Sequence, residues 1–362
     1  MNKKLLTIAI GAALASAPMF ANAALTAYGK LNVGIAMIDN GNPSTPTQNS
    51  DAIVVTDDAS RLGFKGEEDL GNGLKGLYMF EMTIDVDNGG FGSARDTFVG
   101  LGSNFGTLRI GQYNTAYKGV SIPTEIFGDT IADFTANNFS GETRQQNNIG
   151  YSSPTWGGFK FGLEWASTGT GTPTANQYET GAPATDLNPL NASVTWSNSA
   201  FYVAAGYYDY DIKVADGTES ALKLSAMATF GAFKIAATYE DQSPKGTGIT
   251  SATAYAVDTA NLAGMFTMGN HQFALSYTTV MADTTSTSDL DCSMIGAGYF
   301  YNFSKTNAVK VVYNTIDNGA AATCYGRMGG ASATGGSASH NLPAPAAGQG
   351  PSGYQVQFSS SF

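Results

Sequence analysis

Residues 60–86 contain two runs of alternating apolar and polar side chains, joined by a short polar turn. The apolar positions are Leu62, Phe64, Leu74, Tyr78, Phe80, Met82, Ile84 and Val86, and the polar ones are Arg61, Lys65, Glu67, Lys75, Glu81, Thr83, Asp85 and Asp87. Side chains two residues apart share one face of a β-strand, so the pattern predicts a hairpin with an apolar and a charged face. Asn72-Gly73 supplies the positive φ angles that a short hairpin turn needs.

The same unit recurs along most of the chain, separated by polar segments. Besides the 60–86 hairpin, strands are predicted over 25–37, 95–102, 107–113, 144–153, 159–166, 189–197, 200–209, 220–230, 232–240, 255–268, 270–281, 291–303, 306–317 and 353–362. The total is about sixteen strands, and their lengths are near the roughly ten residues that a tilted membrane strand needs. The segments 38–57 and 88–93 are predicted loops, and the Gly/Ala/Ser/Pro-rich segment 318–353 is predicted to be a mobile surface loop.

Short and long connections alternate strictly between these strands. The short turns are 70–73, 103–106, 154–157, 197–200, 230–232, 268–271 and 303–306, and the intervening connections are long and polar. A β-sandwich lacks this rhythm and would shelter its apolar faces in a core. A sheet closed on itself pairs every backbone group and can turn its apolar face to lipid. The sequence therefore predicts an all-β, sixteen-stranded antiparallel transmembrane β-barrel.

The first residues have the pattern of a cleaved export signal. Lys3 and Lys4 precede an apolar run over 5–17, and Ala21-Asn22-Ala23 gives a small-x-small cleavage site. We expect a signal peptide over 1–23 and a barrel domain over 24–362. Cleavage would remove two of the 18 basic residues and none of the 29 acidic ones, which leaves a net charge near −13. That charge argues against a nucleic-acid partner.

The two cysteines and two histidines limit the chemistry that the chain could perform. In an exported protein, Cys292 and Cys324 suggest one disulfide, with two free thiols as the alternative. Neither cysteine has a nearby histidine, so no metal site is expected, and no cofactor motif is present. An outer-membrane enzyme is the rival class, but His271 adjoins a short turn and His340 lies in the low-complexity segment. No nucleophile-base pair is visible, so we expect no catalysis.

Several motifs together resemble the general trimeric porins of Gram-negative outer membranes. They are AYGKLNVG (27–34), SRLGFKGEEDLGNGLKG (60–76), ARDTFVGLGSNFGTLRIGQ (94–112), NNIGYSSPTWGGFKFGLEW (147–165), YFYNFSKTNAVKVVY (299–313) and the terminal Phe362. The resemblance implies short periplasmic turns, long external loops, a third long loop folded into the pore and a homotrimer. It also implies Sec-type export to the outer membrane, contact with its lipids and lipopolysaccharide, and Phe362 as the signal that the outer-membrane assembly machinery recognises.

The loop at about 116–143 corresponds to the constriction loop of that family. Its segment 123–129 resembles the P-E-F-G-G-D core, which implies that Glu125 and Asp129, with Asp133 as a further candidate, project into the lumen. The facing basic residues implied by the motifs are Lys30, Arg61, Arg95 and Arg144. The alternative is that the arginines only pair with wall carboxylates such as Glu67, Glu81 and Asp96. Further lumen candidates on polar faces are Lys65, Glu67, Glu81, Asp85, Arg109 and Lys160.

Acidic groups facing basic groups across a narrow watery constriction create a transverse field that biases which ions enter. The predicted function is therefore a passive, water-filled channel for ions and small hydrophilic solutes. The acidic excess of the whole chain predicts a cation preference. The alternatives are a substrate-specific channel and a surface-binding barrel, such as an adhesin or phage receptor, whose long loops would carry the function.

Overall fold

The structure is a computed structural model. It describes residues 25–39, 41, 51–136, 139–142, 144–167, 188–211, 218–244, 256–283, 289–322, 324–328 and 347–362. The predicted signal peptide, 1–23, lies outside these residues. Among the described residues, no helix is long and apolar enough to cross a membrane.

The described chain is almost entirely β-structure. Its strands are β1 Thr26–Asp39, β2 Asp51–Asp57, β3 Arg61–Gly71, β4 Leu74–Asp85, β5 Gly90–Ser103, β6 Gly106–Asn114, β7 Arg144–Ser152, β8 Phe159–Ala166, β9 Leu190–Ser197, β10 Phe201–Asp209, β11 Thr218–Phe230, β12 Phe233–Pro244, β13 Ala256–Met268, β14 His271–Asp283, β15 Cys292–Asn302, β16 Asn307–Asn318 and β17 Ser352–Ser361. Three short 3₁₀ helices, η1 Lys118–Val120, η2 Ile122–Thr124 and η3 Phe134–Ala136, lie between β6 and β7.

The strands form one closed antiparallel sheet. From β3 onwards each strand pairs with the next in sequence, and β1 pairs with β17 in a register that places Lys30 opposite Ser361. Both β2 and β3 pair with β1 and occupy successive parts of a single strand position. The seventeen segments therefore form sixteen strand positions, which confirms the predicted sixteen-stranded barrel.

Two of the predicted loop assignments were wrong. The segment 51–57, placed in a loop, forms β2, and β5 begins at Gly90 inside the predicted loop 88–93. Buried Asp57 explains the β2–β3 junction, because its carboxylate accepts the backbone N–H groups of Ser60 and Val86 at 3.0 and 2.6 Å. Ala59 between the two segments has a φ of 61°, so the strand breaks there without leaving the sheet.

Alternation separates an apolar outer face from a polar inner one, as predicted. Outward-facing Ile35, Val99 and Leu275 are more than half exposed in the isolated barrel, whereas inward-facing Asn32 and Thr278 are buried. The turn after β3 has positive φ at Gly71, Asn72 and Gly73, as the Asn-Gly pattern required. An exposed apolar belt around a polar interior is the arrangement that lipid outside and water inside would stabilise.

The chain end and the last long connection are also fixed to the barrel. Phe362 exchanges two backbone hydrogen bonds with Gly29 at 3.0 and 3.1 Å, and its ring covers this glycine, where a Cβ would clash. The prediction of a mobile loop over 318–353 was wrong for the described part of it, because Ala322 and Met328 are buried. Residues 323 and 329–346 of that prediction, His340 included, lie outside the described residues.

Candidate pore constriction

The connection from β6 to β7 spans residues 115–143, and its described parts, 115–136 and 139–142, fold into the barrel and pack against its inner wall. Phe127 meets Phe300 of β15 edge-to-face with ring centroids 5.8 Å apart. Gly296 of the same strand permits this approach, because a Cβ there would lie 2.9 Å from the Ala132 methyl. Ile131 is fully buried in the same cluster. The apolar side chains of the loop thus form a core inside a barrel whose other inward residues are mostly polar.

A buried ionic group anchors both ends of this loop to β11 and β12. Lys223 and Glu240, both fully buried, form an ion pair at 3.2 Å. The Tyr117 hydroxyl donates to Glu240 at 2.6 Å, and the Ser140 backbone N–H donates to its other oxygen at 2.5 Å. Lys223 also pairs with Glu142 near the end of the loop. Breaking such a group by removing one partner is costly, because a buried charge would remain uncompensated.

Side-chain amides on β16 and β17 hold the middle of the loop. The Asn314 amide donates to the Ile131 carbonyl at 2.7 Å, and the Ile131 N–H donates to Gln355 at 3.2 Å. Gln357 donates to the Asp129 carbonyl at 2.8 Å. Asp129 itself has a φ of 58°, a left-handed conformation that aspartate and asparagine tolerate better than most residues. The wall thereby fixes the direction of the Asp129 carboxylate.

The Asp129 carboxylate connects the loop to basic groups on two sides. It lies 3.0 Å from Lys30 of β1 and 3.6 Å from Arg61 of β3. A third cation, Arg327, approaches it at 3.9 Å. Burial alone would raise the pKa of Asp129, but the charges of Lys30, Arg327 and Arg61 outweigh burial and hold the pKa well below its usual range. Asp129 is therefore ionised at any physiological pH.

The predicted arginines lie on the strands beside this group and are paired with carboxylates. Arg95 contacts the buried Glu81 at 2.6 Å, and Arg61 is 3.9 Å from the same group. Arg144 contacts Asp96 at 2.6 Å. The alternative prediction, that the arginines pair with wall carboxylates, thus holds for Glu81 and Asp96, whereas the third named carboxylate, Glu67, pairs with Lys75. Arg61 and Arg144 keep about a fifth to a quarter of their side-chain surface exposed, whereas Arg95 is buried, so lining of the pore by the three arginines stays a prediction.

The two remaining loop acids have different surroundings. Asp133 is almost fully buried and pairs with Arg327 at 2.8 Å, while its other oxygen accepts from Thr135. Glu125 is half-buried and accepts a long hydrogen bond of 3.4 Å from the Ser121 hydroxyl. Burial, helped by the negative charges of Asp133 and Glu142, raises the pKa of Glu125 to about 8.

Glu125 should therefore make ion selectivity depend on pH near neutrality. Above its raised pKa the group is negative, and below it the group is neutral, so acidification removes one negative charge from the loop. We expect the cation-to-anion permeability ratio to fall as pH drops through about 8. The measurement is the reversal potential in a salt gradient at a series of pH values. Glu125→Gln should abolish this step, and an unchanged pH profile in that variant would contradict the assignment.

The additional lumen candidates lie on inward faces, at different places along the barrel. Lys65 stacks over the Tyr28 ring at 5.0 Å, and Glu67 pairs with Lys75 beside the short turn after β3. The other four lie at different depths. Glu81 is the partner of Arg95 and Arg61, and Asp85 is the last residue of β4. The Arg109 guanidinium lies 4.2 Å from the centre of the Tyr113 ring, and Lys160 lies near the start of β8.

Several charged residues at the constriction were absent from the sequence prediction. They are Lys118, Glu142, Arg327, and the pair Lys223 and Glu240. For the pair a signal existed, because a two-residue turn at 231–232 places positions 223 and 240 opposite each other. Nothing local in the sequence points to Arg327, which lies within the Gly/Ala/Ser/Pro-rich segment 318–353.

The structure also gives the state of the cysteines and of possible metal ligands. Cys292 and Cys324 form a disulfide that joins β15 to the connection after β16. Across the described ranges, no group of three or more His, Cys, Asp or Glu side chains is arranged to hold a metal ion.

Comparison with known proteins identifies the family. The model of the Gram-negative porin family matches residues 9–321. This chain belongs to the Gram-negative porin family. The major outer membrane protein P.IB of Neisseria gonorrhoeae is 26% identical over 335 residues, which cover 86% of this chain and 93% of that protein. Another P.IB sequence of the same species is 30% identical, but there the chain spans about half of the relative, 51%.

Solved structures share the fold of this porin. An anion-selective porin from Comamonas acidovorans has a TM-score of 0.73 at 21% identity, covering 94% of this chain and all of that one. The trimer form of OmpT from Vibrio cholerae has a TM-score of 0.65 at 15% identity, covering 93% and 99%. The family and fold are those of passive, non-enzymatic outer-membrane channels, which supports that class of function and an outer-membrane location here.

Proposed function

We propose that this porin is a general diffusion channel for ions and small hydrophilic solutes, narrowed by the loop 115–143. One observation carries the proposal: the loop carboxylates meet a row of wall cations inside the barrel, with Asp129 within 4 Å of both Lys30 and Arg61. A water-filled passage beside such a group would present both signs of charge to a passing solute. That arrangement favours polar solutes over apolar ones without a dedicated binding pocket.

The proposed selectivity is a weak cation preference. Beside the buried group of Lys118, Glu142, Lys223 and Glu240, the basic residues Lys30, Arg61, Arg95, Arg144 and Arg327 lie near the acidic residues Glu81, Asp96, Asp129 and Asp133, and Glu125 adds a further negative charge only above about pH 8. Because these charges nearly cancel, the sign of the ion selectivity depends on the charges elsewhere in the pore. Strands end in Asp39, Asp85 and Asp209 on the side of the long connections, and such an acidic rim would raise the local concentration of cations.

Liposome swelling tests the proposal and separates it from a substrate-specific channel. Purified protein would be reconstituted, and swelling measured in neutral sugars of increasing size. We expect rates that fall smoothly with solute size and rise linearly with solute concentration. Saturation with one sugar and exclusion of others of equal size would favour a substrate-specific channel, and no swelling would reject diffusion altogether.

We also propose a homotrimer that is exported by a Sec-type signal over 1–23 and assembled through recognition of Phe362. The trimer form of OmpT supports the oligomer by analogy of fold. The outward apolar belt fits contact with partner subunits, outer-membrane lipids and lipopolysaccharide. Electrophoresis without heating should show a species about three times the monomer mass that heating converts to monomer. A monomer-sized band before heating would count against the trimer.

A further inference from the structure

Arg327 reaches the constriction from the last long connection of the barrel. Its guanidinium lies 2.8 Å from the Asp133 carboxylate and 3.9 Å from that of Asp129. Both acids belong to the loop 115–143. About a fifth of the Arg327 side chain stays exposed, so its charge is not wholly enclosed by these partners. The constriction thus receives a cation from outside the wall strands.

The Cys292–Cys324 disulfide fixes the segment that carries this arginine. Cys292 is buried at the start of β15, and Cys324 lies three residues before Arg327. The Asn318 side chain adds two hydrogen bonds of 2.9 Å to the backbone of Cys324, one to its carbonyl and one from its N–H. Covalent and polar links therefore converge on a single residue of a long connection, where chain entropy would otherwise oppose a fixed position.

Packing on the other side of Arg327 completes the attachment. Met328 is fully buried in a cluster with Ile131 and Phe134 of the constriction loop. Gly353 of β17 leaves room for it, because a Cβ there would lie 3.3 Å from the Met328 sulfur. Arg327 is thus held between a disulfide-linked residue and a buried one, which restricts where its side chain can reach.

We propose that Arg327 is a specificity-determining residue of the pore and that the Cys292–Cys324 disulfide positions it there. The proposal deepens the proposed diffusion channel and rests on it. Arg327 offsets the negative charges of Asp129 and Asp133, so it lowers the attraction of the constriction for cations. Removal of the disulfide would free the segment around Cys324, so the Arg327 charge would leave the constriction while the wall arginines stay in place.

Three variants test the proposal by the reversal potential of reconstituted channels in a salt gradient. They are Arg327→Gln, the double variant Cys292→Ala/Cys324→Ala, and the combination of all three changes. A unit charge roughly 7 Å from a passing ion, partly screened at about 0.1 M salt, changes the permeability ratio about threefold. We expect Arg327→Gln to raise the cation-to-anion ratio by that factor. The disulfide variant should raise it in the same direction, and the combined variant should match Arg327→Gln.

Lys305→Gln is the matched control, because it removes one positive charge at an exposed turn between β15 and β16. Its permeability ratio should stay at the wild-type value. A conducting Arg327→Gln channel with an unchanged ratio would overturn the assignment of Arg327. A shifted ratio in Arg327→Gln with a wild-type ratio in the disulfide variant would overturn the positioning role. Absence of conductance in the wild-type protein would instead reject the diffusion channel on which the proposal rests.

Discussion

Replacing Asp129 by asparagine should shift the selectivity of the reconstituted channel towards anions. The carboxylate contacts Lys30, Arg61 and Arg327, and its removal leaves three cations with one fewer counter-charge. By the Coulomb energy of one screened unit charge at close range, we expect the cation-to-anion permeability ratio to fall about threefold to tenfold. The reversal potential under a salt gradient measures this change.

The substitution is chosen so that the loop keeps its shape. Asparagine tolerates the left-handed conformation of Asp129, and the hydrogen bond from Gln357 goes to the backbone carbonyl. Asp317→Asn is the matched control, since Asp317 is exposed at the end of β16 and away from the loop contacts. An unchanged ratio for Asp129→Asn, or a change equal to that of the control, would show that Asp129 does not govern selectivity.

Replacing Lys223 by methionine should destabilise the protein more than any other single change considered for the loop. The buried carboxylate of Glu240 would lose its only ion-pair partner among the described residues. Removal of one partner from a buried pair costs about 3 to 5 kcal/mol. We expect the free energy of unfolding, measured by urea titration in detergent micelles, to fall by that amount. The loop should also loosen, which would appear as larger current fluctuations in single-channel records.

The double variant Lys223→Met/Glu240→Gln separates charge burial from loss of packing. A glutamine at position 240 can accept the Ser140 N–H with its amide oxygen and donate its NH2 to the Tyr117 hydroxyl oxygen, while no unpaired charge remains there. Glu142 keeps its pairing with Lys118 at 3.6 Å. We expect the double variant to recover most of the stability that Lys223→Met loses. Equal destabilisation of both variants would contradict the ionic explanation of the anchor.

Much of the barrel could be predicted because its signals are local. The alternation with a period of two puts the side chains of Arg61 and Leu62 on opposite faces of the sheet, and Asn72-Gly73 determines the turn. Family motifs then indicated the loop acids and the wall bases, and the structure brings Lys30, Arg61 and Asp129 within ion-pair distance. These features depend on short stretches of sequence, so they can be predicted without knowing which distant segments are in contact.

The remaining features depend on contacts between distant segments. Arg327 meets Asp133 only because a disulfide and a buried methionine direct a low-complexity connection inwards. Strand β2 was wrongly predicted to be a loop because the contacts that form it are not visible in its sequence. It pairs with β1, and its end is held by hydrogen bonds of Asp57 with Ser60 and Val86. Alternation within seven residues is too weak a signal to reveal such a strand.

Single-channel recording of the wild-type protein in a planar bilayer tests the central claim most directly. A salt gradient across the bilayer gives conductance and selectivity in one experiment. An open diffusion channel predicts stepwise openings, a current proportional to voltage, and a small cation-directed reversal potential that declines below about pH 8, where Glu125 becomes neutral. Absence of conductance from correctly folded protein would contradict the channel, and a strong anion-directed reversal potential at high pH would contradict the proposed charge balance.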